Sequence, residues 1–293
     1  MLIARILTAV ALLGTLLPAL FMAPIWAWGA ITLILFTGAA AEWSRLVGAS
    51  ALWAVLTFFA GLAWIVGPDW FSSATLQPLA IAPALVATLF WLIISPWRLA
   101  GRFSGDRRAL IGVVLVFSAW QAAFELRRFG IGPLLSTACI VWVADVAAYF
   151  GGRAFGRHKL APAISPGKTW EGVLCAVVAV LGLGWGTVIY SEHLVTETQG
   201  ADLSMVQAWV VHSLPAQVAQ RFGLSGLLGI LTGLTALSIT GDLYESLLKR
   251  EAGVKDSGRS LPGHGGFLDR MDALMPVLPI SFLFAYSLIE RLP

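Results

Sequence analysis

Charge is what this chain has least of. Of its 293 residues only 12% are Asp, Glu, Lys or Arg, against about 25% in an ordinary soluble domain. Hydrophobic residues make up 58%, and mean hydropathy is +0.82. So small a supply of charge cannot cover a water-facing surface, and no polar stretch is long enough to fold as a soluble domain. Cysteine is nearly missing as well. Cys139 and Cys175 both fall in apolar runs, where thiols behave as small hydrophobes and report nothing about redox compartment. With 4 histidines and no His-x-x-x-His pair, zinc is a weak fit. No internal repeat is visible, which weighs against the inverted-repeat design of many transporters. The net charge of +3 comes mostly from loops, and an anionic leaflet or substrate accounts for it without a nucleic-acid partner.

Long apolar runs are what the chain has instead. They lie near 6–22, 26–43, 51–67, 77–95, 109–126, 131–150, 170–190, 222–246 and 273–290. Crossing the hydrocarbon core takes about 20 helical residues, so the expected fold is all-α: a polytopic transmembrane bundle of about nine spans. Tryptophans near both ends of 24–43 fit interfacial anchors. Arg5 before the first run resembles a signal peptide, but with eight further spans an uncleaved first helix is expected. Placing the N-terminus in the cytoplasm puts Arg5, Arg45, Arg98, Arg102, Arg107, Arg108, Arg153, Arg157, Lys159, Lys168, Lys249, Arg250, Lys255, Arg259 and Arg270 inside. Only Arg127, Arg128, Arg221 and Arg291 stay outside, so the positive-inside bias selects this orientation, with Arg127 and Arg128 the misfit. The segment 201–220 reads as either an outside interfacial helix or a loop.

Polar chemistry is unevenly spread. Residues 1–105 form an N-terminal set of transmembrane helices with almost none, and 106–293 form the catalytic region. In the first part Glu42 and Arg45 lie three apart and read as a local pair. In the second, Asp145 falls toward the inside end of one run, Asp242 and Glu245 near the inside end of another, and Asp269 and Asp272 where the last begins. Ionised carboxylates near hydrocarbon are costly and are usually paired, hydrated or functional. Acid in a first helical turn also suits the dipole, but three helices offering carboxylates at one depth suggest a site. Hard oxygen donors of this kind suit Mg²⁺, which is usually held by one or two carboxylates plus substrate phosphates.

Two loops add the complementary charge. The stretch SLLKREAGVKDSGRSLPGHGGFLDRMD at 246–272 carries Lys249, Arg250, Lys255 and Arg259, with Gly263, Gly265 and Gly266 permitting close backbone approach to a ligand. The stretch GGRAFGRHKLAPAISPGKTWEG at 151–172 offers Ser165 and Lys168 as phosphate donors. Its GKT is not a P-loop, since Pro162 occupies the position of the first glycine and no strand is expected before it. The residues therefore point to transfer at phosphorus at an inner membrane face, using divalent metal and a lipid substrate.

The 246–272 stretch resembles the signature of the phosphatidate cytidylyltransferase (CDP-diacylglycerol synthase) family at Ser246, Lys249, Arg250, Lys255, Asp256, Gly258, Pro262, His264, Gly265, Gly266, Asp269, Arg270 and Asp272. SPGKTWEG at 165–172 and Asp145, Tyr149, Gly152 and Arg153 are similar to it too. The resemblance implies a Mg²⁺-dependent enzyme of the bacterial inner (plasma) membrane, with its active site on the cytoplasmic side. A phosphate oxygen of phosphatidate would attack the α-phosphorus of CTP, giving CDP-diacylglycerol and pyrophosphate. It implies Asp242, Asp269 and Asp272 as catalytic metal ligands. Lys249, Arg250, Lys255 and Lys168 would neutralise phosphates. Ser165, Ser246, His264, Gly265, Gly266 and Arg270 would bind substrate. Asp145 either joins the metal site or orders the 151–172 loop. The expected partners are CTP, phosphatidate, the lipid bilayer and a second copy of the chain. Two alternatives stay open: a CTP-dependent lipid kinase, and a transporter.

Overall fold

The computed structural model describes residues 2–67, 77–101, 108–198 and 203–289. Among them the chain is almost wholly helical, as lipid demands, because only a helix satisfies every backbone N–H and C=O within one segment. The helices are α1 (Leu2–Met22), α2 (Ile25–Leu46), α3 (Leu52–Val66) and α4 (Gln77–Leu89), the last continued through a π-helical segment, Phe90–Ile94, into α5 (Ser95–Leu99). Then come α6 (Arg108–Phe129), α7 (Ile131–Phe155), α8 (Trp170–Thr198), α9 (Met205–Val211), α10 (Leu214–Glu251), α11 (Leu268–Met271) and α12 (Leu274–Ile289). Each of the nine apolar runs lies on a helix. Six stretches are long and apolar enough to cross a membrane, and α3, α12 and most of α1 are shorter apolar helices. The protein is a polytopic helical membrane bundle.

The expectation that no strand precedes the GKT is corrected here. Strands β1 (Lys159–Ala161) and β2 (Ser165–Thr169) form an antiparallel hairpin between α7 and α8. Gly167, Lys168 and Thr169 are part of β2 itself rather than a loop ahead of a helix, and Pro162 still stands at the first-glycine position, so the P-loop remains excluded. Pro162, with its fixed φ, sits in the turn between β1 and β2, which Ile164 N–H closes on the Ala161 carbonyl at 3.1 Å. Within the 201–220 segment, residues 203–220 resolve into α9, opened by a Ser204/Gln207 capping box, and the capped start of α10.

Small residues let the helices approach. A side chain at Gly151 of α7 would meet Cys175 of α8, one at Gly184 of α8 would meet Leu231 of α10, and one at Gly29 of α2 would meet Phe124 of α6. The N-terminal helices share one buried cluster with the C-terminal ones, in which Tyr244 of α10 packs against Trp43 of α2 and against Phe90 and Trp91. The misfit arginines have structural partners. Arg127 Nε donates to the Leu20 carbonyl at 2.8 Å, and Arg128 pairs at 3.0 Å with Glu125, which also accepts from Trp64 Nε1. Arg102, Arg107, Arg291 and Asp202 lie outside the described residues.

Candidate active site

One end of the bundle holds a cavity of about 550 Å³ walled by α7, the hairpin, the start of α8, α10 and the α11–α12 junction. Its carboxylates are Asp145, Asp242, Asp269 and Asp272, and its cations are Arg153 and Lys168. Three different segments, α7, α10 and the α11–α12 junction, thus supply the acids that the sequence places at similar depth. The approach of two of them depends on Gly241. A β-carbon there would run into the Asp272 carbonyl and Pro276, so glycine lets α10 and the start of α12 touch and brings Asp242 beside Asp272.

Lys168 reaches from β2 to Asp242 Oδ2 at 2.7 Å, and Ser246, one turn along α10, donates to Oδ1 at 3.3 Å. The hairpin carrying Lys168 is anchored by Glu171, which accepts from the His158 backbone N–H and lies 2.6 Å from its Nδ1. Thr169 accepts from Gly172 N–H and fills the space between Gly152, Gly156 and Gly172, where no β-carbon would fit freely. Asp272 is half-buried, and its pKa is pushed up to about 7, first by burial and then by the facing Asp242 carboxylate, with Asp145 adding to the effect.

Asp269 is differently placed. Its Oδ1 lies 2.7 Å from Lys249, while Oδ2 accepts from Ser257 N–H, Ser257 Oγ and Gly266 N–H at 3.0, 2.9 and 2.8 Å. Burial alone would raise this carboxylate, but the Lys249 ammonium and the Gly266 N–H overcome it and hold it at about 2. Lys249 is itself gripped between Asp269 and the buried Glu245, 2.6 Å away. Arg250 bonds the Ile164 carbonyl, tying α10 to the hairpin turn. Arg270 braces the His264 carbonyl through Nε and a terminal nitrogen at 3.1 and 2.7 Å. His264 and Gly265 belong to a tight turn closed by Leu261 N–H on the Gly265 carbonyl, with Gly265 at φ +85°, where a β-carbon would be strained. His264 Nδ1 has no partner among the described residues, and Lys255 is exposed. Ser165 lines the cavity, whereas Arg250, Lys255, His264 and Arg270 do not.

Among the described residues no three His, Cys, Asp or Glu side chains form a ready-made metal cage. The donors present are nonetheless all carboxylate oxygens, and the mutual repulsion that raises Asp272 is what a divalent cation would relieve. This suits Mg²⁺, which takes one or two carboxylates and leaves the remaining positions to water and phosphate.

The Cytidylyltransferase family is matched by this chain over residues 3–288. The chain belongs to that family. Among relatives, it is 34% identical to a phosphatidate cytidylyltransferase of Pseudomonas aeruginosa over 94% of both chains. It is also 34% identical to one of Brucella suis, over 83% of this chain and 78% of that protein. A third, from Haemophilus influenzae, is 38% identical over 54% of this chain and 46% of its own length. In this cytidylyltransferase-family chain the match takes in the N-terminal helices, which looked chemically empty in the sequence. One residue there had gone unnoticed as part of the site. Glu42 is fully buried, accepts from Ser260 Oγ and Leu268 N–H, and lies 3.0 Å from Ser257 Oγ, all in the signature loop. The only signal in the sequence was a carboxylate at the end of an otherwise apolar helix.

Proposed function

We propose that this family member is a phosphatidate cytidylyltransferase that converts CTP and phosphatidate to CDP-diacylglycerol and pyrophosphate at the cytoplasmic face of a bacterial inner membrane. The observation that carries this is the single cavity in which Asp242 and Asp272 from membrane helices face Lys168 from an extramembrane hairpin. Such a cavity suits a water-borne triphosphate beside a lipid phosphate, an arrangement in which proximity itself would supply much of the rate.

The nucleophile is a phosphate oxygen of phosphatidate. No general base is required, because a phosphate monoester is already largely ionised near neutral pH. Its attack on the α-phosphorus of CTP forms one P–O bond as the bond to the β,γ-pyrophosphate breaks, and pyrophosphate leaves with the electron pair. Lys168, now paired with Asp242, can swing to a phosphate oxygen when the nucleotide arrives, freeing a carboxylate oxygen. Arg153, which lines the cavity, offers a second charge-assisted donor. Lys255, Arg259 and His264 on the signature loop take the β- and γ-phosphates, while Lys249 and Asp269 keep that loop in place. Asp242 and Asp272 would hold Mg²⁺, with Asp269 and Asp145 beside them, and the ion would supply neutralisation of the charge developing on the phosphates.

Labelled CTP with phosphatidate and Mg²⁺ in detergent tests the proposal. Label from the α-phosphate in the lipid product supports it, whereas label from the γ-phosphate would make the protein a CTP-dependent lipid kinase. Movement of substrate across liposomes with no CDP-lipid formed would make it a transporter. Exhaustive EDTA treatment should abolish turnover and added Mg²⁺ restore it; activity that survives EDTA removes the metal from the mechanism.

A further inference from the structure

Glu42 of α2 is at 0% exposure in a bundle built for lipid, where an uncompensated carboxylate is costly. Its nearest cation is a poor partner, since Arg45 is 3.8 Å away and mostly exposed. What compensates the charge is the signature loop, more than 200 residues later in the chain. Oε1 accepts from Ser260 Oγ at 2.6 Å, and Oε2 accepts from Leu268 N–H at 2.8 Å and lies 3.0 Å from Ser257 Oγ. That Ser257 hydroxyl also lies 2.9 Å from Asp269 Oδ2, so one hydroxyl links Glu42 to the carboxylate that grips Lys249. The fit is close enough to constrain the loop's composition. A side chain at Gly258 or Gly266 would collide with the Glu42 carboxylate, and Gly38 on the same helix leaves space for the Phe267 ring.

We propose that Glu42 is the positioning residue of the signature loop, fixing residues 257–268 in the shape that presents Arg259 and His264, with Lys255 just before them, to the phosphates of CTP. The proposal rests on the assignment of that loop to the nucleotide. Glu42 touches no substrate. It acts by gathering the Ser260 hydroxyl and the Leu268 N–H as donors onto one carboxylate, with the Ser257 hydroxyl beside them, and so removing the loop's freedom before the nucleotide arrives.

The test uses the full-length protein in detergent or nanodiscs. Glu42→Ala should raise KM for CTP about tenfold or more, the scale of a lost charge-assisted hydrogen bond. KM for phosphatidate should stay within about threefold, because the lipid phosphate meets the cavity rather than this loop. Glu42→Gln keeps an acceptor for Leu268 N–H and can donate its amide to Ser260 Oγ, so it should restore KM for CTP to within about threefold of the parent. Hydrogen exchange at Leu268, Gly266 and Ser257 should accelerate in Glu42→Ala and not in Glu42→Gln. A role in folding alone lowers the active fraction and leaves both KM values in place, and that outcome, or unchanged exchange, overturns the proposal. Should Glu42→Ala not fold, Ser257→Ala decides the matter by removing the shared hydroxyl: a raised KM for CTP supports the link, and an unchanged one overturns it. Lys255→Ala separates the two assignments. An unchanged KM for CTP there removes the loop from nucleotide binding and takes the proposal with it. A raised KM there, with a normal KM in Glu42→Ala, overturns the Glu42 assignment alone.

Discussion

Asp242 and Asp269 both line the cavity, yet their surroundings set them apart. Asp242 has a flexible lysine and a weak serine contact, so an incoming cation can displace its partners. Asp269 is locked by four donors and organises the loop as much as it faces the cavity. Asp242→Asn and Asp269→Asn should each lower kcat by on the order of 10²-fold or more while the protein still elutes as a folded species on size exclusion. Near-normal turnover in either would remove that residue from the mechanism. Asp272 carries a pH signature. Its folded pKa of about 7 lies above its ordinary 3.8, so the metal-free protein loses stability as pH rises through that window. Asp272→Asn removes the penalty: the variant's gain in thermal midpoint should be absent near pH 4, grow toward pH 7 and then level off, and Mg²⁺ should give the parent protein a similar gain at pH 8. Of these particulars the sequence showed the residue types and their depth. It could not show which lysine is held between two acids and which faces open cavity, because pairing depends on distances between helices that are far apart in the chain.

Among the elements, α10 is the one on which most of the site depends. It starts beyond α9 at the end remote from the cavity and delivers Asp242, Ser246, Lys249 and Arg250 at the other. It is broken once, at Gly223 with φ 67° and ψ −168°, a conformation open essentially to glycine alone. No atom would obstruct a β-carbon there, so Gly223→Ala should cost only backbone strain, about 1–3 kcal/mol, seen as a lower thermal midpoint with both KM values unchanged. Gly241→Ala is a different test on the same helix. Its β-carbon would press on the Asp272 carbonyl and Pro276, forcing α10 and α12 apart where the acids converge. Turnover should fall by about tenfold or more, with a smaller loss of stability, and steady-state kinetics beside a melting curve would show the split. The long apolar helices were legible from apolar length alone, whereas the short α9 and α11 were not. The β1–β2 hairpin was not, since eight strand residues around a proline turn carry too short a pattern to distinguish from a loop.

At the scale of the whole molecule, the charges sort by end. The cavity, the Arg98–Glu251 ion pair, Glu42 with the signature loop and the contact of Thr8 with Pro262 all share one end, while Arg127, Leu20 and the Phe21–Trp209 stack mark the other. In a variant with Cys139 and Cys175 replaced, a cysteine at position 255 should react with an impermeant thiol reagent only after the inner membrane is opened, and one at position 212 should react in intact spheroplasts. The reverse pattern would invert the proposed orientation.

The sequence by itself determined the solvent, and with it the fold class. So little charge leaves lipid as the only medium this surface suits, and lipid admits helices that satisfy their own backbone. It also carried the family signature, because the order of carboxylates, lysines and glycines in 246–272 is legible along the chain. Tertiary structure decided what each of them does. Glu42 looked like a local surface pair until folding brought a loop from the far end of the chain onto it, and Gly241 mattered only once another helix lay against it. Composition acts locally and adds up along the chain, whereas pairing and close approach exist only after distant segments meet.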